Sequence, residues 1–256
     1  MGRPLVVVSA RMASSRAPGK ALAPLAGRPL LAVLIERLRA TELEVVLATS
    51  LNADNDPLVA LAERSGVRSF RGDEDDVLKR HVDCAHAFGA RDVVRVTGDN
   101  PLTDTETLLR LVALHESEHA DYSYVPGDAL LMGILSEVIA TSALERAWQK
   151  GDARHRSELV TLYIKEHQGE FQIRTAELPA GLYRPEYRLT VDEADDVRLM
   201  QALFEKLSRP GHVVSTREAI ALLDAQPALA KINAHLRHKG HNLRSVALDA
   251  AALSKT

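Results

Sequence analysis

Cysteine is nearly missing: Cys84 is the single one in 256 residues. One thiol excludes an internal disulfide framework and suits a reducing compartment, so the expected localisation is cytoplasmic. Its surroundings, VDCAHAF, read as a partly apolar helix, which predicts a packed thiol rather than a nucleophile. No apolar run approaches the ~20 residues needed to cross a bilayer. The early PLVVVSA is too short for a signal-peptide core and runs straight into charge. Net charge is also small, −3 from 32 basic and 35 acidic residues. Without a basic stripe, nothing points to nucleic acid or to a membrane surface as a partner. Both familiar phosphate fingerprints, G-x-x-x-x-G-K-[ST] and G-x-G-x-x-G, are missing. So are internal repeats, low-complexity segments and flexible linkers.

What is there is a soluble globular composition, 46% hydrophobic and 26% charged, long enough to bury a sizeable core. Valine-rich runs at 4–9, 43–49, 67–70 and 92–97 are flanked by turn residues and read as strands. Between them lie helical patterns. One starts with Pro29 in its first turn, one ends at Gly66, and one has acids at its start and Gly89 at its end. Near-continuous apolar strands alternating with helices predict a parallel sheet covered on both faces, an α/β fold. After residue 120 the pattern loosens. Strands are expected at 121–125, 136–140, 171–176 and 187–191, with helices around 142–150 and 154–167. A helical tail is expected from DEADDVRLMQALFEKL, STREAIALLDAQ and PALAKINAHLRHKG.

The stretch VVVSARMASSRAPGKALAPLAGRPLL, residues 6–31, carries the first chemical signal. Directly after a strand, a small-residue loop holds Arg11, Arg16 and Lys20 with Ser14 and Ser15. Ligands of open α/β sheets bind at the carboxyl ends of strands. Small residues admit a close backbone, serines add donors and the cations add charge, a set that suits a polyphosphate. Two acids also follow strands: Asp99 in RVTGDNPLTD and Asp192 in YRLTVDEADD. Each alone is explained by turn or helix-cap chemistry. Together, beside a cationic loop, they could hold Mg²⁺ on a nucleoside triphosphate.

These segments carry a resemblance. ARMASSRAPGKALAPLAGRPLL, FRGDEDDVLKR, VVRVTGDNPLTD, YRLTVDEADD and KINAHLRHKG, in this order, resemble the cytidylyltransferase family of the spore-coat polysaccharide protein F type. Its relatives are the acylneuraminate and deoxy-octulosonate cytidylyltransferases. The resemblance spans residues 4 to about 240. It implies a Rossmann-like GT-A nucleotidyltransferase fold and transfer of CMP from CTP to a small anionic acceptor, a sugar acid, sugar phosphate or phosphonate, with Mg²⁺ as cofactor. It implies one domain over 1–256, with 1–118 the nucleotide half and 119–186 an insertion for the acceptor and a homodimer contact. Arg11, Arg16 and Lys20 would grip the triphosphate with Ser14, Ser15, Ala10 and Met12. Asp99 and Asp192 would ligate the metal. Thr49, Arg71, Gly72, Asp76, Thr97 and Gly98 would line the nucleotide pocket.

The departures lie on the acceptor side. The family's P-D-G-L-D-V-E-V appears as LMGILSEV, keeping Gly133 and Glu137. Its R-E-H-V-T-P-Y-I appears as RSELVTLYI, keeping Arg156, Glu158, Thr161 and Tyr163, while Leu159 and Leu162 replace histidine and proline. With Arg188, the residues Gly133, Glu137, Arg156 and Glu158 are the acceptor-binding candidates, and a changed acceptor is expected. The rival reading is a non-catalytic nucleotide binder or a glycosyltransferase on the same fold. A glycosyltransferase would often show D-x-D, and the nearest pattern, DEDD, sits at a helix start. HESEH, residues 115–119, satisfies H-E-x-x-H, with Glu137 a conceivable third ligand. The expectation is a solvated helix end rather than zinc, because His119 falls where the helix stops. His235, His238 and His241 are likewise read as cations at a helix C-terminus.

Overall fold

The computed structural model describes residues 3–13, 17–126 and 132–236. Strand β1 (Leu5–Ser9) leads to a short 3-10 turn at Lys20–Leu22 and a two-residue hairpin, β2 (Pro24–Leu25) and β3 (Arg28–Pro29). Then come α1 (Leu30–Arg39), β4 (Glu44–Ser50), α2 (Asp56–Arg64), β5 (Arg68–Gly72), α3 (Val77–Ala87), β6 (Asp92–Thr97) and α4 (Thr105–Ser117). The second half supplies β7 (Tyr122–Tyr124), β8 (Glu137–Ala140), α5 (Thr141–Lys150), α6 (Leu162–Glu166) and β9 (Ile173–Thr175). It closes with α7 (Ala194–Leu207), α8 (Thr216–Ala225) and α9 (Pro227–Ala230).

One seven-stranded sheet runs β5-β4-β1-β6-β8-β7-β9. β5, β4, β1 and β6 are mutually parallel. β8 runs antiparallel to β6 and β7, and β7 pairs in parallel with β9. Because side chains alternate along a strand, β1 sends Val6 and Val8 into a layer with Leu34, Leu38 and Leu108. Leu5 and Val7 enter the opposite layer with Leu78, Cys84 and Leu144. A third cluster, around Leu25, Leu30, Leu189, Val191, Leu203 and Ile220, seats α7 and α8 against the β2–β3 hairpin and the 187–192 segment. This is the expected mostly parallel α/β architecture with helices on both faces.

Cys84 is fully buried, and burial pushes its thiol up to about 12. Among the described residues no helix is long and apolar enough to cross a membrane.

Four expectations need correction. Residues 187–191 form no strand. Their backbone makes a single bridge, Met132 to Arg188, and the amides of Leu189 and Val191 donate to the carbonyls of Met132 and Asp99. The helix expected over 154–167 shrinks to α6. The preceding residues turn instead, because Asp152 accepts from the amides of Arg154 and His155 and so competes with a helical ladder. Among its described residues the last segment is helical only as α9 and a 3-10 turn at Ala234–Leu236. The acids of DEDD also precede α3 rather than filling its first turn, with Asp76 as the cap that accepts from the Lys79 amide.

Candidate active site

Since β1 and β6 are parallel neighbours in register, the loops after Ser9 and after Thr97 leave the same edge of the sheet. They touch at once. The Gly98 amide donates to the Ser9 carbonyl at 2.8 Å. A Cβ on Gly98 would stand 2.7 Å from that of Ala10, closer than real Cβ contacts come, so only glycine lets Asp99 emerge there. The 187–192 segment is held against the same edge from the far side. Gly133, at φ +95°, lets the 132–134 turn press on it; an added Cβ would lie 2.2 Å from the Thr190 amide nitrogen. Val191 then donates its amide to the Asp99 carbonyl at 2.9 Å.

The result is a convergence of three charges from distant parts of the chain. Lys20 Nζ donates to Asp99 Oδ2 at 2.9 Å, to Asp192 Oδ1 at 3.0 Å and to the Val191 carbonyl at 2.7 Å. All three side chains are mostly shielded, at 15, 24 and 12% exposure for Lys20, Asp99 and Asp192. Burial alone would lower the Lys20 ammonium pKa, but the two carboxylates outweigh it and raise it above the ordinary value. Two partly desolvated carboxylates aimed at one point form a site that wants a cation, and lysine supplies one here.

Asp192 is itself clamped. Arg188, buried to 1% exposure, donates Nη2 to Asp192 Oδ2 at 2.9 Å and Nε to Asp196 Oδ1 at 3.0 Å. Asp196 in turn accepts from the amides of Asp192 and Glu193 and from Asn233 Nδ2. Arg188, an acceptor candidate, has its guanidinium turned to the two aspartates. Neither Asp196 nor Asn233 was singled out by the sequence.

The other nucleotide candidates have contacts of their own. Arg11 pairs with Glu74 at 2.8 Å. The Met12 amide donates to Asn55 Oδ1 at 2.8 Å and its carbonyl accepts from Gly19, which closes the loop on itself. Ser14, Ser15 and Arg16 lie outside the described residues, as do His238 and His241. Thr49 is buried, and its hydroxyl has no partner among the described residues. Arg71 turns back onto the carbonyls of Ser50, Leu51 and Asn52 and pairs with Asp56. Gly72 ends β5, beside the Thr49–Ser50 end of β4. Asp76 caps α3 and accepts from Trp148 Nε1 at 2.9 Å. Thr97 accepts from Asn100 Nδ2 at 2.7 Å. Asn55 is a further addition of the structure; a lone asparagine before a helix gives no sequence signal.

On the acceptor side, Arg95 and Glu137 face each other across β6 and β8. Glu137 accepts from Arg95 and Lys165 at 2.8 and 3.0 Å, and from Thr161 and Tyr122. Burial would raise its carboxyl, but Lys165, Arg95 and Tyr122 hold it well below the usual range. Arg95 also donates to the Glu158 carbonyl at 3.2 Å, whereas Arg156 lies over the Trp148 ring. Thus Glu137 and Glu158 share a neighbour and Arg156 stands with α5.

Among the described residues no cluster of three or more His, Cys, Asp or Glu side chains could hold a metal. Contrary to the expected solvated helix end, His115 is buried, bonded to Ser123 and 3.4 Å from Asp92, while His119 lies beyond α4 at φ +50°. This geometry removes H-E-x-x-H as a zinc site. Asp99 and Asp192 do fit a hard divalent ion of the kind that takes one or two carboxylates and completes its shell with water and substrate phosphates.

A family model described as cytidylyltransferase matches residues 5–218. The chain is 35% identical over 240 residues to the spore coat polysaccharide biosynthesis protein SpsF of Bacillus subtilis, covering 88% of this chain and 96% of that one. Among solved structures, a cytidylyltransferase from Leptospira borgpetersenii superposes with a TM-score of 0.82 at 24% identity, over 90% of this chain and 97% of the other. A CMP:2-keto-3-deoxy-manno-octonic acid synthetase complexed with CTP superposes with a TM-score of 0.62 at 17% identity, over 80% and 99%.

Proposed function

The chain belongs to the cytidylyltransferase family, and from that premise we propose that it transfers CMP from CTP to a small anionic acceptor, a sugar acid, sugar phosphate or phosphonate. An acceptor oxygen attacks the α-phosphorus, the bond to the β-phosphate oxygen breaks, and pyrophosphate leaves. The observation that carries this reading is the meeting of Asp99, Asp192 and Lys20 at the carboxyl edge of the parallel strands.

In phosphoryl transfer the protein contributes position and charge rather than covalent chemistry. Asp99 and Asp192 would hold Mg²⁺, which when bound supplies positive charge to the α-phosphate. Lys20 and Arg11 carry the charge that receives the departing pyrophosphate. Arg188, itself held by Asp196, fixes by direct contact which way Asp192 points. Thr49, Arg71, Gly72, Thr97 and Gly98 are assigned to the cytidine side, and the 119–186 portion to the acceptor and to a homodimer contact. The drifted LMGILSEV and RSELVTLYI segments support a selectivity for the acceptor that differs from the family's usual one.

The test is a pyrophosphate-release screen crossing the four nucleoside triphosphates, with Mg²⁺, against panels of acidic sugars, sugar phosphates and phosphonates. The expected outcome is release from CTP with one acceptor class and a CMP-acceptor product. Release of a nucleoside diphosphate from a nucleotide sugar, with no turnover of CTP, would replace this reading with a glycosyltransferase.

A further inference from the structure

A second cleft, of about 390 Å³, lies between the β2–β3 hairpin, α1 and the C-terminal end of α7. None of its lining residues is among the nucleotide, metal or acceptor candidates. Arg37 in the last turn of α1 and Arg209 just past α7 line it, over apolar side chains that include Val33, Phe204 and Val214.

Arg37 is the unusual member. It is only 4% exposed, yet among the described residues just its Nε has a hydrogen-bond partner, the Pro101 carbonyl at 3.1 Å, and Nη2 is enclosed with none. The acids nearby are occupied elsewhere. Asp104 caps α4 through Thr107, Glu218 is taken by His212 and Ser215, and Glu36 is paired with Arg28 at 2.7 Å. Of the carboxylates lining the cleft, only Glu205 is left against Arg37 and Arg209. Burial draws the Arg37 guanidinium down to about 10, despite the opposing pull of Asp104 and Glu218. A buried cation without a hydrogen-bonded anion is costly and is ordinarily avoided. Its persistence beside an open cleft with an apolar floor is explained when something else brings the anion.

We propose that this cleft binds a small amphipathic anion, whose carboxylate or phosphate group docks on Arg37 and Arg209 while its apolar body lies on Val33, Phe204 and Val214. Guanidinium forks suit either oxyanion.

Titration calorimetry and thermal shift with benzoate, phenyl phosphate and neutral benzyl alcohol as probes test it, using the full chain without CTP. The expected result is binding of at least one anionic probe, none of the alcohol, and affinity weakened roughly tenfold or more in Arg37→Met, as for loss of a charged hydrogen bond. The preferred oxyanion is read directly from benzoate against phenyl phosphate. Arg37→Met alone should melt no lower than the parent, because an apolar isostere removes the buried charge. Arg209→Ser, on the rim, weakens binding without touching the core and stands in if Arg37→Met fails to fold. Binding that survives both substitutions unchanged, or no anionic binding at all, overturns the proposal. So does binding abolished by Lys20→Met but kept in Arg37→Met, which would place the anion in the catalytic cleft. None of these readouts uses CMP transfer, so they stand or fall apart from the proposed reaction.

Discussion

Lys20 lies within 3.0 Å of two carboxylates that sequence places 93 positions apart, at 99 and 192. The types and approximate positions of all three were legible, because a cationic small-residue loop and two acids each follow an apolar run. Their partners were not legible. Arg188, Asp196 and Asn233 act through hydrogen bonds between segments whose approach depends on the whole fold, and no spacing encodes it. Asp99→Asn and Asp192→Asn are each expected to lower CTP turnover by roughly 10²–10³, the range of a lost preorganised charge contact, with folding retained. Pyrophosphate release measures it. Arg188→Lys keeps the charge but cannot fork to Asp192 and Asp196 together. It should lower kcat by roughly tenfold, about the worth of one charged hydrogen bond, and leave KM for CTP nearly unchanged. A rise in KM with kcat intact would instead return Arg188 to a substrate-binding role.

At the scale of elements, the periodic segments were read correctly, the short β7, β8 and β9 included, whereas the β2–β3 hairpin and the irregular 154–161 and 187–191 stretches were not. β1, β4 and β6 stand out because consecutive valines buried on both faces need no alternation. The β2–β3 hairpin is two residues a side, too short for any period to register. The alternation in YRLTV suggested a strand, but its amides are shared between Met132 and Asp99 rather than a ladder partner. That departure is what puts Asp192 beside Asp99. Gly133→Ala should therefore damage activity and stability together, by about 1–3 kcal/mol from backbone strain alone and more from the clash with Thr190. Chemical denaturation measures the loss. Asp76→Ala removes both the α3 cap and the partner of the Trp148 indole. It should cost about 1 kcal/mol, and since Trp148 is the only tryptophan, its emission reports the change without labelling.

Over the whole molecule, the layer beneath α3 carries a pH dependence. His81 is fully buried, its Nδ1–H donating to the Val77 carbonyl, so Nε2 accepts from the Ser9 hydroxyl. Burial first, and then Arg95, lower its imidazole from 6.5 to about 3. A folded state that refuses a proton the unfolded chain accepts has its full stability above pH 6.5 and loses it as pH falls towards about 3. The slope is on the order of 1.4 kcal/mol per pH unit. The Glu137 carboxyl, held low, adds its own loss only below the ordinary carboxylate range. Between about pH 5 and 6.5 the trend therefore isolates His81. Urea unfolding across that interval should show falling stability in the parent and a flatter profile in His81→Gln; an equal slope in both would remove His81 as the cause.

The amide of Val191 reaching back to the carbonyl of Asp99 also sets a timetable for biosynthesis. A nascent polypeptide that has emerged as far as α4 already owns the four parallel strands, Lys20 and one acid, but the other acid has yet to be added to the chain. On the proposed roles of Asp99, Asp192 and Lys20, half-made chains are thereby chemically silent: they would not spend CTP until most of the protein has been translated and its later half has docked.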